Sequence, residues 1–555
     1  MKEHLAQLLA RLQGPDPSVR GEAARDLGKM GPAAATPEVL GALLERLQED
    51  EDKGVRWAAA RALGWMGTAA ARPEVIQVLV ERLLRDADEG VRQNAAEALG
   101  RMGEAAATPE VIRALAECLR KDEDRDVRKK AAWALGEMGK AAATQEVLEA
   151  LTERLREDEN KGVREAAAVA LGEMGAAAAQ KEVLQALTER LREDEDKWVR
   201  RAAAWALGKM GKAAATPEAI QALAKRLLRD ESMWVRQAAA GALGKMGEAA
   251  AQKEVIQALG QALRDHAFGV RSEAARALGE MGKAAARPEI LQVLVQALGD
   301  PDPSARQAAA GALGVMGEAA ATQEVIQALV QCLREDEIPW VRQAAAWALG
   351  WMGKAAAQKE VLRSLVQCLR KDEDKWVRQE AAWALGKMGK AAATPEVLGA
   401  LVERLLRDED EGVRQAATGT LLWLIQAHPE ALRNFLRALP TPMTPQETQT
   451  LEDVLRAHPG AVPALRALLS DPDPRVRAGA VWALGIVGPA AATPEVVRDL
   501  LTRRLDKAPT VRTAALEVLR RLPVSSETVS AVLRDFQGDE PEAGEATAWA
   551  LERLG

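Results

Sequence analysis

Tyrosine is absent from the 555 residues and phenylalanine occurs only three times, whereas tryptophan occurs fourteen times. An aromatic complement made almost wholly of the largest side chain calls for a local explanation. Cysteine is scarce as well. Cys118, Cys332 and Cys368 are odd in number and form no CxxC pair, which speaks against a disulfide framework. Neither sign of charge dominates: 75 basic residues face 82 acidic ones, for a net charge of −7. The chain therefore lacks the basic field of a nucleic-acid binder. No apolar run approaches the roughly 20 residues of a membrane helix. No segment alternates with period two, so no sheet is expected. No GxxxxGK[ST] loop is present to cradle phosphate, and runs such as Glu193–Lys197 lack the frame of a calcium loop. His4, His266, His428 and His458 are scattered, which disfavours a histidine metal or acid–base site. The N-terminal MKEHLAQLLARLQG is amphipathic and charged rather than signal-like, so a cytoplasmic setting is expected.

What is present is one unit, copied. A Val-Arg dipeptide recurs at Val19, Val55, Val91, Val127, Val163, Val199, Val235, Val270, Val341, Val377 and Val413. Ala305 takes the valine place once, and the register returns at Val476 and Val511. From Val19 to Val413 successive copies are 36 residues apart, except for two steps of 35 around Val270 and Ala305. Each unit predicts two helices. The first, A, reads VRQEAAWALGKM at Val377–Met388 and should end at Gly389, where glycine accommodates positive φ. Thr394 is placed to cap the second helix, B, with Pro395 and Glu396 suited to its first turn. Val397, Leu398, Leu401, Val402 and Leu405 then recur at helical spacing.

A lone helix pair cannot bury its apolar faces, but stacked pairs can. The expected fold is all-α, a right-handed α-solenoid of about sixteen antiparallel helix pairs. Residues 1–424 read as a regular array with an N-terminal capping helix. Residues 425–475 read as a degenerate stretch of three helices where the stack is expected to bend, and 476–555 as C-terminal repeats and cap. The signature of acidic turn, VRxxAAxALGxMG and PEVxxALxxxL resembles the HEAT repeats of the bacterial PBS-lyase-like class, over nearly the whole chain. That resemblance implies an interaction scaffold, or more rarely a chromophore lyase or metal enzyme. The metal enzymes use His-Glu pairs, and no histidine here precedes a glutamate. The repeat is also similar to that of engineered helicoidal binders, whose variable positions correspond here to Trp376, Gln379, Glu380, Trp383 and Lys387.

The copies serve as their own alignment. Counting each A helix from its valine as zero, positions four, eight and eleven hardly change, whereas minus one, two, three, six and ten do. At 100° per residue the constant set lies on one side and the variable set faces away from it. Trp198, Trp234, Trp340 and Trp376 stand at minus one; Trp205, Trp347 and Trp383 at six; Trp351 at ten. All fourteen tryptophans fall in the variable set, Trp549 included, so none is expected in the core. Large exposed apolar patches mark interfaces, and tryptophan supplies much contact area with few rotatable bonds. The expected site is therefore a protein or peptide surface anchored by Trp340, Trp347, Trp351, Trp376 and Trp383. Trp198, Trp205 and Trp234 form a second patch, and Gln343, Gln379, Glu380 and Lys387 set orientation. Between the patches Gly241, Gly269, Arg276, Ser304 and Gly311 are expected to leave a trough. No enzyme activity, cofactor or metal is expected. The rival readings are a nucleic-acid-binding solenoid, a self-assembling rod, and an accessory or sensor subunit. The arginine after each valine is expected to pair with the acidic turns and tie repeat to repeat.

Overall fold

The computed structural model describes residues 2–439, 462–535, 544 and 547–550, and among these every regular element is helical. Of the three helices expected over 425–475, the middle one lies outside the described residues; the flanking two are Pro429–Ala438 and Val462–Leu468. The chain forms two compact units, Met1–Ala297 and Leu298–Gly555. The first opens with the helix Lys2–Leu12 and proceeds through A and B helices from Pro17–Lys29 to Pro288–Ala297. The second begins at the A helix Pro303–Met316 and repeats the pattern.

One repeat shows why these residues fold as they do. The A helix Lys375–Lys387 is capped by Asp374, whose carboxylate accepts from the Trp376 and Val377 amides at 2.9 and 3.2 Å. Val377, Ala381, Leu385 and Met388 are fully buried. Gly389 then takes φ +63°, a conformation that a side chain would resist. The linker is not irregular: Gly389–Ala392 winds as a 3-10 helix. Thr394 caps the B helix Pro395–Arg407 by accepting from the Val397 amide at 3.3 Å. Buried Val397, Leu398, Leu401 and Leu405 complete the core, each worth roughly 1.5–3 kcal/mol of burial.

Small residues set the spacing between A helices. In the first unit a Cβ on Gly100 would stand 2.9 Å from the Ala134 Cα and 2.6 Å from the Trp133 ring. The same arrangement recurs at Gly172 under Trp205 and, in the second unit, at Gly350 under Trp383. At these places the tryptophan at position six therefore lies against the glycine at position nine of the preceding repeat.

The arginine after the valine joins neighbouring repeats in most copies; among the described residues Arg414 and Arg512 meet only carbonyls of the preceding turn. Arg378 donates from Nε and Nη2 to both oxygens of Asp408, at 2.9 and 2.8 Å. Its Nη1 donates to the carbonyls of Asp372 and Glu373, at 3.0 Å each. Equivalent pairs are Arg20–Asp50, Arg56–Asp86, Arg92–Asp122, Arg128–Asp158, Arg164–Asp194, Arg200–Asp230 and Arg236–Asp265 in the first unit. Arg306–Asp336, Arg342–Asp372 and Arg477–Asp506 follow in the second. Where the B helix is shortened, as in Lys253–Ala262 and Pro494–Arg503, the pair spans 29 residues instead of 30 and is kept. Burial pushes the Asp86 and Asp408 carboxyls upward. The arginine hydrogen bonds, a backbone amide and the nearby positive charge outweigh it and hold both below the ordinary carboxylate range.

Glycine-to-alanine changes inside a helix ordinarily stabilise by about 1 kcal/mol. Gly41→Ala, with nothing near its added Cβ, should follow that rule. Gly100→Ala should instead destabilise by about 1–3 kcal/mol through overpacking; equilibrium urea unfolding of the two variants checks the opposite signs. The depressed Asp86 and Asp408 values contribute stability above the unfolded-state pKa, and that stability is lost as pH falls through the folded values. Urea midpoints should accordingly drop as pH falls below about 4. Asp86→Asn should be less stable at neutral pH and show a shallower drop.

Candidate functional site

Most variable positions emerge on the face away from the core, although Ala58, Asn94, Ala202 and Ser272 are buried, and the two tryptophan patches fall one in each unit. In the second unit Trp340, Trp351 and Trp376 stand well out, at 48, 51 and 54% exposure. Trp347 and Trp383 are half-buried, in keeping with their position over the glycines of the preceding repeat. The ring centroids of Trp347 and Trp351 are 5.8 Å apart, as are those of Trp351 and Trp383, with interplanar angles of 57° and 53°. Three indoles thus form a tilted chain across two repeats. The Lys387 ammonium caps it, 5.4 Å from the Trp351 ring and 5.0 Å from that of Trp383. Lys375 lies over Trp376 at 5.2 Å and also pairs with Asp410 at 3.0 Å.

The polar neighbours have distinct surroundings. Burial pushes the Glu380 carboxyl above its ordinary value, and the neighbouring Gln343 amide of the preceding repeat opposes that shift only in part. Gln379 is half-buried and its amide lies beside Gly412 of the next repeat. Trp423 is exposed and meets the His428 ring edge-on at 6.1 Å.

In the first unit the tryptophans carry more cations of their own. Lys197 and Arg201 lie over Trp198 at 5.4 and 5.5 Å, and Lys209 over Trp205 at 4.9 Å. A groove of about 220 Å³ runs between Trp205 and Trp234, bordered by Arg201, Gln237, Lys245 and Glu273. Another, of about 350 Å³, lies beside Trp133 among Lys129, Lys130, Glu165 and Glu173. Sequence reasoning did not single out this second groove, although its residues occupy the variable positions. The expected trough is partly filled in this unit, since the Gln237 amide lies over Gly269 and the Glu273 carboxylate over Gly241. In the second unit Gly311 faces open space.

One tryptophan contradicts the stripe. Trp549 is only 3% exposed and donates Nε1–H to the Leu519 carbonyl at 3.4 Å. The register of that degenerate helix turns its indole onto the core side, so it is a packing residue.

The remaining candidates for chemistry are occupied. The paired arginines spend Nε, Nη1 and Nη2 on aspartate and backbone, leaving no free edge for phosphate. No cluster suited to a metal ion occurs among the described residues. Cys118, Cys332 and Cys368 are free thiols at the B-helix position that holds Arg46, Arg82 and Arg226 elsewhere. Each donates Sγ–H to a carbonyl of the preceding B helix or the turn after it, at 3.7, 3.7 and 3.5 Å. Burial first, then nearby aspartate charge, pushes the thiols up to about 12, 11 and 12 respectively. Such thiols should resist iodoacetamide at pH 8 in the folded chain and react fully in denaturant, read as three added carbamidomethyl groups by intact mass.

With this geometry in hand, comparison with known proteins is informative. The sequence profile described as HEAT repeats matches in overlapping windows from residue 5 to 520, among them 5–100, 148–244, 291–386 and 449–520. Importin beta crystallised in ammonium sulfate is structurally similar, with TM-score 0.60 and 17% identity, covering 99% of this chain and 84% of that one. The Kap95:Nup1 complex gives TM-score 0.52 and 16% identity, covering 100% and 87%. At such identities the likeness is one of fold. No curated protein sequence matches significantly.

Proposed function

This chain belongs to the HEAT-repeat family, and from that premise we propose that it is a non-catalytic scaffold binding a protein or peptide along the outer face of its A helices. The observation that carries the reading is the second-unit cluster. Trp340, Trp351 and Trp376 present half their surface to solvent from rigid helices, and ring contacts and Lys387 hold Trp347, Trp351 and Trp383 in place. Exposing indoles in this way lowers solubility without strengthening the core, so it is accounted for by a surface they meet. Preorganised aromatic anchors also lose little conformational entropy on binding. Trp198, Trp205 and Trp234 extend the surface in the first unit, while Gln343, Gln379, Glu380 and Lys387 supply direction. A structural neighbour, Kap95, is solved as a complex with Nup1, which agrees with a binding role for such a fold.

A random peptide library displayed on phage, selected on the full chain, tests the reading. Enriched peptides should lose about 30-fold in affinity on Trp340→Ala/Trp376→Ala, the effect of losing about 2 kcal/mol of hot-spot contact. An unchanged circular dichroism spectrum would show the variant folded. Failure to enrich any peptide, or peptides indifferent to the double substitution, would sink it. So would a wild-type mass that rises with concentration and becomes monomeric in the variant, since the tryptophans would then serve self-association.

A further inference from the structure

We propose that Glu380 receives an arginine side chain of the bound peptide, its guanidinium seated among Trp347, Trp376 and Trp383. The assignment rests on the partner-binding reading of this face and names the chemistry of one of its subsites. Glu380 lies four residues after Trp376 and three before Trp383, so all three share one helix face. Gln343 lies three residues after Trp340 and four before Trp347, on the matching face of the preceding A helix. Position three of an A helix faces position six of the preceding one, as Lys130 pairing with Glu97 at 2.7 Å and Glu273 lying over Gly241 show, so Glu380 faces Trp347. The carboxylate is half-buried, on the helix face that carries Trp376 and Trp383 and toward the seam with the preceding repeat.

Among the described residues no cation pairs with it. Two other carboxylates on the same face have partners: Glu97 binds Lys130 and Arg101 at 2.7 and 2.8 Å, and Glu273 binds Arg276 at 2.7 Å. The basic residues on the Glu380 helix are engaged elsewhere. Arg378 is held by Asp408, Lys375 by Asp410, and Lys387 lies over Trp351 and Trp383, two turns or roughly 10 Å along the helix. A carboxylate kept partly from water without a counter-charge is costly, and an incoming cation removes that cost. Indole faces add to the preference, since this chain already stacks its own lysines and arginines on its tryptophans. Guanidinium meets both demands at once, pairing in plane with a carboxylate while its faces lie on rings, which an ammonium does not do.

The full chain, labelled with nitrogen-15, is titrated with N-acetyl-arginine amide and with its neutral isostere N-acetyl-citrulline amide. Indole N–H resonances, assigned by single Trp→Phe variants, report binding. The arginine probe should shift the Trp347 and Trp383 signals saturably, with a Kd of about 1 mM for a ligand of this size. Citrulline should bind about tenfold more weakly, and E380Q should weaken arginine about tenfold while leaving citrulline unchanged. Equal binding of the two probes, arginine binding indifferent to E380Q, or no saturable shift would each overturn the assignment. The two readings fail separately. Library peptides that need Trp340 and Trp376 but not Glu380 overturn the arginine subsite and leave the scaffold standing. An arginine probe held by Glu380, with no library peptide recovered, does the reverse.

Discussion

In most repeats the guanidinium that follows the valine touches two repeats at once. Two of its nitrogens meet the aspartate that ends the next B helix, and the third holds two carbonyls of the turn before its own helix. The aspartate in turn accepts an amide two residues on, which shapes the turn into the next A helix. Charge, turn geometry and repeat spacing are thereby fixed by one side chain. Removing one partner of such a buried pair typically costs about 3–5 kcal/mol, because the other charge is left uncompensated. Apolar packing alone tolerates sliding; a bidentate pair specifies one register. The ladder persists where the B helix loses a turn, which identifies it, and not helix length, as the constant of the array.

With register held there, the opposite face of the A helices is released from structural duty and its residues differ from repeat to repeat. The release is incomplete. Tryptophans at minus one stand clear, whereas those at six lie over a glycine of the preceding repeat and belong half to the surface and half to the seam. Trp347 and Trp383 therefore couple any ligand to the spacing of two A helices. Glu380 shares this double character, since position three of an A helix faces position six of the preceding repeat.

Much of this was legible because the repeats align themselves. Val377, Ala381, Leu385 and Met388 show the 3.6-residue period of a buried stripe, and Gly389 and Thr394 carry the chemistry of a helix end and a helix start. The arginine partners were readable in kind, because an invariant charge beside an acidic turn has few other uses. Less legible was whatever depends on two repeats together. Nothing in the sequence of Gly350 alone says that Trp383 will lie across it. The linker alanines gave no hint of a 3-10 turn, since alanine suits either helix. Trp549 was misread because its helix has lost the landmarks that set the register. The absence of a cation near Glu380 became visible only once Arg378, Lys375 and Lys387 had been placed.

The arginine seam also bears on how such a chain changes over generations. Joints such as Arg92–Asp122, Arg128–Asp158 and Arg164–Asp194 use the same atoms at nearly the same distances. Deleting or duplicating one whole unit by unequal crossing-over within the array leaves a joint of a kind already present, not a novel one to be optimised. The gene can lengthen or shorten by one unit without a folding penalty at the junction. Each such event brings a different pair of outer faces side by side. New combinations of existing residues then reach selection without a single point mutation.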